Sequence, residues 1–134
     1  MKKELREWKG KWIEPVQVPI NKEPVFTLQE MFSGKILPQR PVEERLHPVK
    51  LLKRTFALDP DKELLQATLR MTAHGIYSAK INGRKVTDAL FTPDYTSYHS
   101  YLQVQEYEIT GLLQERNVWS VALADGWYGG RVSV

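Results

Sequence analysis

From Val49 onward the apolar residues recur with a period of two in a series of short runs, and that period restricts those runs to half-buried strands. In "ELLQATLRMTA", Leu65, Ala67, Leu69, Met71 and Ala73 fall on one side, with Gln66, Thr68, Arg70 and Thr72 on the other. "LLKRTFAL" before it puts Leu52, Phe56 and Leu58 on one side, and "DPDK" supplies the turn between them. "GIYSAKI" directs Tyr77, Ala79 and Ile81 inward, and Asn82-Gly83 predicts a tight hairpin because both residues accept a positive φ. "YLQVQEYEI" reads as a further strand and "TGLLQER" as a short helical turn opened by Thr110. "NVWSVALA" closes the pattern with Trp119, Val121 and Leu123 on one face. Short strands at regular spacing, without a long helix, make an all-β sandwich or barrel. The expected core is Phe56, Leu65, Leu69, Met71, Ile81, Trp119, Val121 and Leu123.

The preceding third is of another kind. Six of the eight prolines lie between residues 15 and 48. Proline cannot donate to a sheet ladder or continue a helix, so extended segments and loops are expected there. An edge strand at Val25–Gln29 and a turn of helix at Met31–Lys35 are the two elements it allows. The chain thus divides into a basic arm and opening strand at 1–14, a proline-rich irregular arm at 15–48 and a sandwich core at 49–134, all within one domain. A chain of 134 residues encloses one modest core.

Composition excludes some chemistry. Cysteine is absent, which rules out disulfides and thiolate metal sites within the chain. No run of apolar residues reaches the roughly 20 needed to cross a membrane as a helix. The first residues are basic and no apolar signal region follows them, so a cytoplasmic location is expected. Five of the first eleven residues are Lys or Arg, while the net charge is only +3. That reads as a solvated terminus more readily than as a nucleic-acid surface, and neither a nucleic acid nor a membrane is expected as partner.

The ionisable residues form no catalytic pattern. Asp59 and Asp61 flank a proline, which is turn chemistry. Asp88, Asp94 and Asp125 sit at strand ends, where they either form turns or line a pocket. His47, His74 and His99 lack metal-ligand spacing. No phosphate loop, dinucleotide glycine pattern or nucleophile elbow is present. The chain is expected to bind no cofactor and no metal.

The aromatic residues say more. Tyr95, Tyr98 and Tyr101 recur at three-residue spacing in "PDYTSYHSY", and Trp127 and Tyr128 follow a glycine in "ADGWYGG". Ring faces beside Asp and Asn suit a sugar, whose C–H face packs on the ring while its hydroxyls take polar partners. The alternative is that the rings fill the end of the sandwich core. The candidate carbohydrate-binding residues are Asp94, Tyr95, Tyr98, Asp125, Trp127 and Tyr128.

"GIYSAKINGRKVTD", "FTPDYTSY", "YEITGLL" and "ADGWYGG", in this order, resemble the N-terminal β-sandwich domain of bacterial α-L-rhamnosidases of glycoside hydrolase family 78. "WKGKWIEP" looks like that family's opening segment. Two departures stand out: the turn "QERN" lacks the glycine usual before the asparagine at Asn117, and Thr87 replaces a common glycine. The resemblance implies a jelly-roll-like antiparallel sandwich of the galactose-binding-domain type, incomplete at its C-terminal end. It also implies that the catalytic carboxylates belong to a helical barrel that follows the sandwich, so it places no catalytic residue in this chain. The implied role is that of a non-catalytic accessory domain. Such a domain would pack on the catalytic domain of its parent enzyme and contribute weakly to contact with rhamnose-containing glycans. A stand-alone carbohydrate-binding module, or a structural sandwich of another glycoside hydrolase, is the alternative. An uncovered C-terminal edge would favour a homodimer through residues 126–134.

Overall fold

A computed structural model describes residues 10–16, 27–34 and 47–129. The basic arm up to residue 9, most of the proline-rich stretch and the tail from residue 130 lie outside the described residues. Six strands carry the fold: β1 (Lys50–Ala57), β2 (Thr68–Met71), β3 (Ile76–Ile81), β4 (Arg84–Lys85), β5 (Gln105–Glu108) and β6 (Arg116–Ala124). The described residues also include two short helices, α1 (Leu28–Met31) and α2 (Gly126–Gly129), and a 3-10 turn at Thr110–Leu112. The larger sheet has the order β1-β6-β3-β4 and the smaller pairs β2 with β5, all antiparallel. The protein is an all-β sandwich.

The two sheets meet over one core. Met71, Ala73, Tyr77 and Ala79 are buried, and Leu69, Tyr107, Trp119, Val121 and Leu123 pack against them. The Tyr77 and Tyr107 hydroxyls, 2.8 Å apart, share a hydrogen bond that joins β3 of one sheet to β5 of the other. Ile81 is 2% exposed. Phe56 is half-buried on β1. Leu65 departs from the expected core, being 83% exposed. Its segment has no strand partner, because pairing of β2 begins only at Thr68, opposite Glu108. Ala67 O still accepts from Ile109 N at 3.0 Å, but the alternation in 63–66 is a pattern without a ladder. "YLQVQEYEI" is likewise shorter than expected, since only Gln105–Glu108 pairs. At its start Ser100 N and Tyr101 N both donate to Ser97 O, which turns the chain instead of extending it.

Asn82-Gly83 makes the expected hairpin, with φ of 51° and 79° and register Ile81↔Arg84. Asn82 does more than turn. Its Nδ2 donates to Leu112 O and to Asn117 Oδ1, and its Oδ1 accepts from Val118 N, each at 2.9 Å. Asn117, 1% exposed, accepts from Gln114 N at 2.9 Å and donates to Gln114 O at 2.7 Å. The side chain of Asn117 thus closes the "QERN" turn that lacks a glycine.

The edge strand expected at Val25–Gln29 is corrected in its described part. Thr27 is the N-cap of α1, whose helix begins at Leu28, ahead of the expected turn at Met31–Lys35. Thr27 Oγ1 accepts from Glu30 N at 3.3 Å and the Glu30 carboxylate accepts from Thr27 N at 2.8 Å. This reciprocal cap favours a helix start over an extended strand. Hydrogen bonds donated by the Thr27 N–H and by its hydroxyl, each at 2.8 Å, hold the Glu30 carboxyl below its ordinary value.

Candidate functional site

Two glycines at one end of the sandwich bring distant segments into contact. Gly75 has φ +116°, and a Cβ there would collide with the backbone oxygen of Ala124. Gly126 has φ +52°, and a Cβ there would stand 2.9 Å from Ile76 Cγ2. Only glycine meets both demands, conformation and close approach. The consequence is that His74, just before one glycine, lies against Tyr128, two residues after the other.

The rings then form a continuous set drawn from four segments. The His74 imidazole is sandwiched between Trp12 and Tyr128, with ring centroids 4.6 and 4.3 Å away and nearly parallel planes. Tyr98 meets Tyr128 edge-on at 5.3 Å. Tyr95 meets Tyr98 at 6.3 Å and Trp127 at 6.1 Å, both edge-on. Phe91 adds a tilted contact to Trp127 at 5.8 Å. Edge-to-face and stacked pairs at these separations are each worth roughly 0.5–1.5 kcal/mol beyond their buried area.

This set walls an open cleft of about 550 Å³, lined by residues 95–99 with Trp127 and Tyr128. Tyr95 is 61% and Trp127 38% exposed, so their rings are available to a ligand. The Tyr98 hydroxyl is buried and has no hydrogen-bond partner among the described residues. Burial first, then the neighbouring Tyr95 and Asp94, push its ionisation above the ordinary phenol value. Among the described residues the lining offers ring faces, the Ser97 hydroxyl and the His99 imidazole and no carboxylate, while the Thr96 hydroxyl is buried without a partner. Such a surface can stack against the C–H face of a sugar and exchange hydrogen bonds with its hydroxyls.

Of the six candidate residues, four converge here: Tyr95, Tyr98, Trp127 and Tyr128. The two aspartates stand apart. Asp94, at φ 89°, accepts from Tyr95 N through its own Oδ1 at 2.7 Å and so shapes the turn that presents Tyr95. Asp125 Oδ2 lies 2.8 Å from His47 Nδ1 and ties the end of β6 to the segment entering β1.

The α-L-rhamnosidase N-terminal domain family matches residues 62–134, just over half of the chain. The chain belongs to this family. The α-L-rhamnosidase of Formosa agariphila is 30% identical over 127 residues, covering 94% of this chain and 12% of that protein. Native α-L-rhamnosidase from Aspergillus terreus superposes with a TM-score of 0.63 at 31% identity, covering 66% of this chain and 10% of that one. Streptomyces avermitilis α-L-rhamnosidase, solved with L-rhamnose, gives 0.60 at 35% identity over 63% of this chain and 8% of that one. This rhamnosidase N-terminal domain therefore spans about a tenth of the length of the relatives it matches.

Sequence reasoning missed His74, Trp12 and Phe91 as members of the rhamnosidase domain's aromatic set. Trp12 lies outside the stretch that the family match covers. The signal available for His74 was its place before a glycine, paired with a second glycine before Trp127, and only the fold shows that these two glycines touch.

Proposed function

We propose that the chain serves as a non-catalytic accessory domain of an α-L-rhamnosidase, packing on the enzyme's catalytic domain and contacting carbohydrate weakly through the aromatic cleft. The observation that carries this reading is the exposed Tyr95–Trp127 pair at the wall of a carboxylate-free concavity. Family membership supports the parent enzyme, and the solved relative that holds L-rhamnose supports the choice of sugar. Hydrolysis itself is assigned to a domain beyond this chain.

Calorimetric titration with L-rhamnose tests the contact. Heat is expected with a Kd weaker than about 100 μM, and Trp127→Ala should remove it. Heat unchanged by Trp127→Ala, or none at millimolar sugar, ends the reading. A Kd tighter than about 100 μM would favour a stand-alone binding module. Pairing of two copies through residues 126–134 is read separately by light scattering over a dilution series, where a monomer mass at high concentration ends that proposal.

A further inference from the structure

The outer face of the larger sheet carries a row of positive charge that the fold does not neutralise. Strand register places Lys53 of β1 beside Ser120 of β6, Ser120 beside Lys80 of β3, and Lys80 beside Lys85 of β4. With strands about 4.8 Å apart, the three ammonium stems span about 14 Å in one line across the sheet. All three lysines are exposed. Arg116, opposite Ala57, adds a fourth charge on the same face. Ser120 stands between Lys53 and Lys80, Ser78 and Ala122 flank it on one side, and the exposed Leu51 and Val118 share the face.

Two features make the row informative. Lys80 and Lys85 stand directly opposite each other, a like-charge pair that weakens a sheet. Among the described residues no carboxylate pairs with any of the three lysines, and register puts none on their face. The chain's net charge is only +3, so a face with four cations and no anion is a local concentration of charge, not a general property of the surface. A broken local rule without an internal compensation marks a site whose partner comes from outside.

We propose that this face is a docking surface for a linear anionic polysaccharide, its carboxylate or sulfate groups seated along the Lys53–Lys80–Lys85 row. The proposal extends the reading of the chain as a rhamnosidase domain. The small Ser120 between Lys53 and Lys80 leaves room for an extended chain to lie across the strands, and the lysines meet charges repeated along it. A protein partner fits less well, because protein interfaces are depleted in lysine and anchored by aromatic residues or Arg, and the central rows of this face hold no ring. Single-stranded nucleic acid would need rings on which to stack its bases.

Affinity electrophoresis of the whole chain in gels containing polygalacturonate, dextran sulfate or neutral dextran tests the idea. Retardation is expected with one or both polyanions and none with neutral dextran, and the two polyanions separate carboxylate from sulfate recognition. Near 1 M salt, where the screening length falls to about 3 Å, retardation should vanish. The K53Q/K80Q/K85Q variant should bind at least tenfold more weakly. The control K50Q/R54Q/K62Q removes the same charge from the inner face and a turn, and it should keep most of the affinity. Because the triple variant relieves the Lys80–Lys85 repulsion, it should melt no lower than the parent, so lost binding is not lost folding. Retention by neither polyanion, equal loss in both triple variants, or equal retention by polyglutamate or DNA would overturn the proposal. Rhamnose calorimetry on K53Q/K80Q/K85Q keeps the two readings apart, since the aromatic cleft is untouched by it.

Discussion

Two ends of the same sandwich treat their side-chain amides and hydroxyls differently, although the Trp119 Nε1 opposite Ile81 at the hairpin end is itself buried without a partner among the described residues. At the β3–β4 hairpin each side-chain nitrogen and oxygen of Asn82 and Asn117 has a partner, and Asn117 is almost wholly enclosed. At the aromatic end the rings of Tyr95, Trp127 and Tyr128 remain open to solvent, and a buried tyrosine hydroxyl lacks a partner among the described residues. A saturated network specifies one geometry and leaves nothing for a ligand to add. An unsaturated one is less favourable to the free protein, and the open rings beside it offer a ligand their faces. The first end holds the fold, and the second is the end at which the proposed carbohydrate contact is placed.

The largest break in this comparison should come from Ile81, the apolar residue on which the saturated end rests. Ile81→Ala should cost about 2–5 kcal/mol in denaturant melts, while rhamnose contact in the surviving folded fraction is unchanged. Next comes Asn117→Ala, which leaves the Gln114 N–H and C=O without their partner. A loss of about 2 kcal/mol is expected, and a loss below about 0.5 would mean that water replaces the asparagine at no cost.

Much of the saturated end was legible in the sequence. Asn82-Gly83 announces its turn by residue type alone, and Tyr77, Ala79 and Ile81 alternate within a strand that pairs on the expected register. Leu65 shows the limit: a period of two marks a strand only where a neighbouring strand supplies hydrogen bonds, and the partner Glu108 stops at Thr68. Asn117 was silent for a similar reason, since its partner Asn82 lies 35 residues away. At the aromatic end the four rings were legible as residue types, but their convergence was not. It depends on Gly75 and Gly126 touching across the fold, and that also explains why His74 passed unnoticed.

Tyr77→Phe removes the phenol bond between the sheets and should cost about 1 kcal/mol at neutral pH. Burial, followed by the Tyr107 hydroxyl, holds the Tyr77 phenol well above its ordinary value of 10.0. Above that pH the unfolded chain releases the proton and the folded chain keeps it. The folded state then binds more protons, and stability falls as pH rises through about 10. Urea melts at rising pH should show this fall in the parent and a shallower one in Tyr77→Phe. Equal slopes would place the alkaline loss elsewhere.

The smallest expected effect is the one that sharpens the comparison most. Tyr98→Phe deletes the same atom as Tyr77→Phe, from a ring at the other end of the molecule. The Tyr98 hydroxyl makes no hydrogen bond to the described residues, so its deletion removes a desolvated polar atom and breaks nothing. The ring stays to hold Tyr95 and Tyr128 in their edge-on positions. Stability should change by less than about 0.5 kcal/mol, and any change should be upward, because an apolar replacement of an unpaired buried group is neutral or favourable. Side-by-side urea melts of the two variants read the contrast directly: one loses stability and the other does not. A loss above about 1 kcal/mol for Tyr98→Phe would mean that this hydroxyl is as fully used as that of Tyr77. The two ends would then be alike, and the argument that the aromatic end is held open for a ligand would fall with the difference.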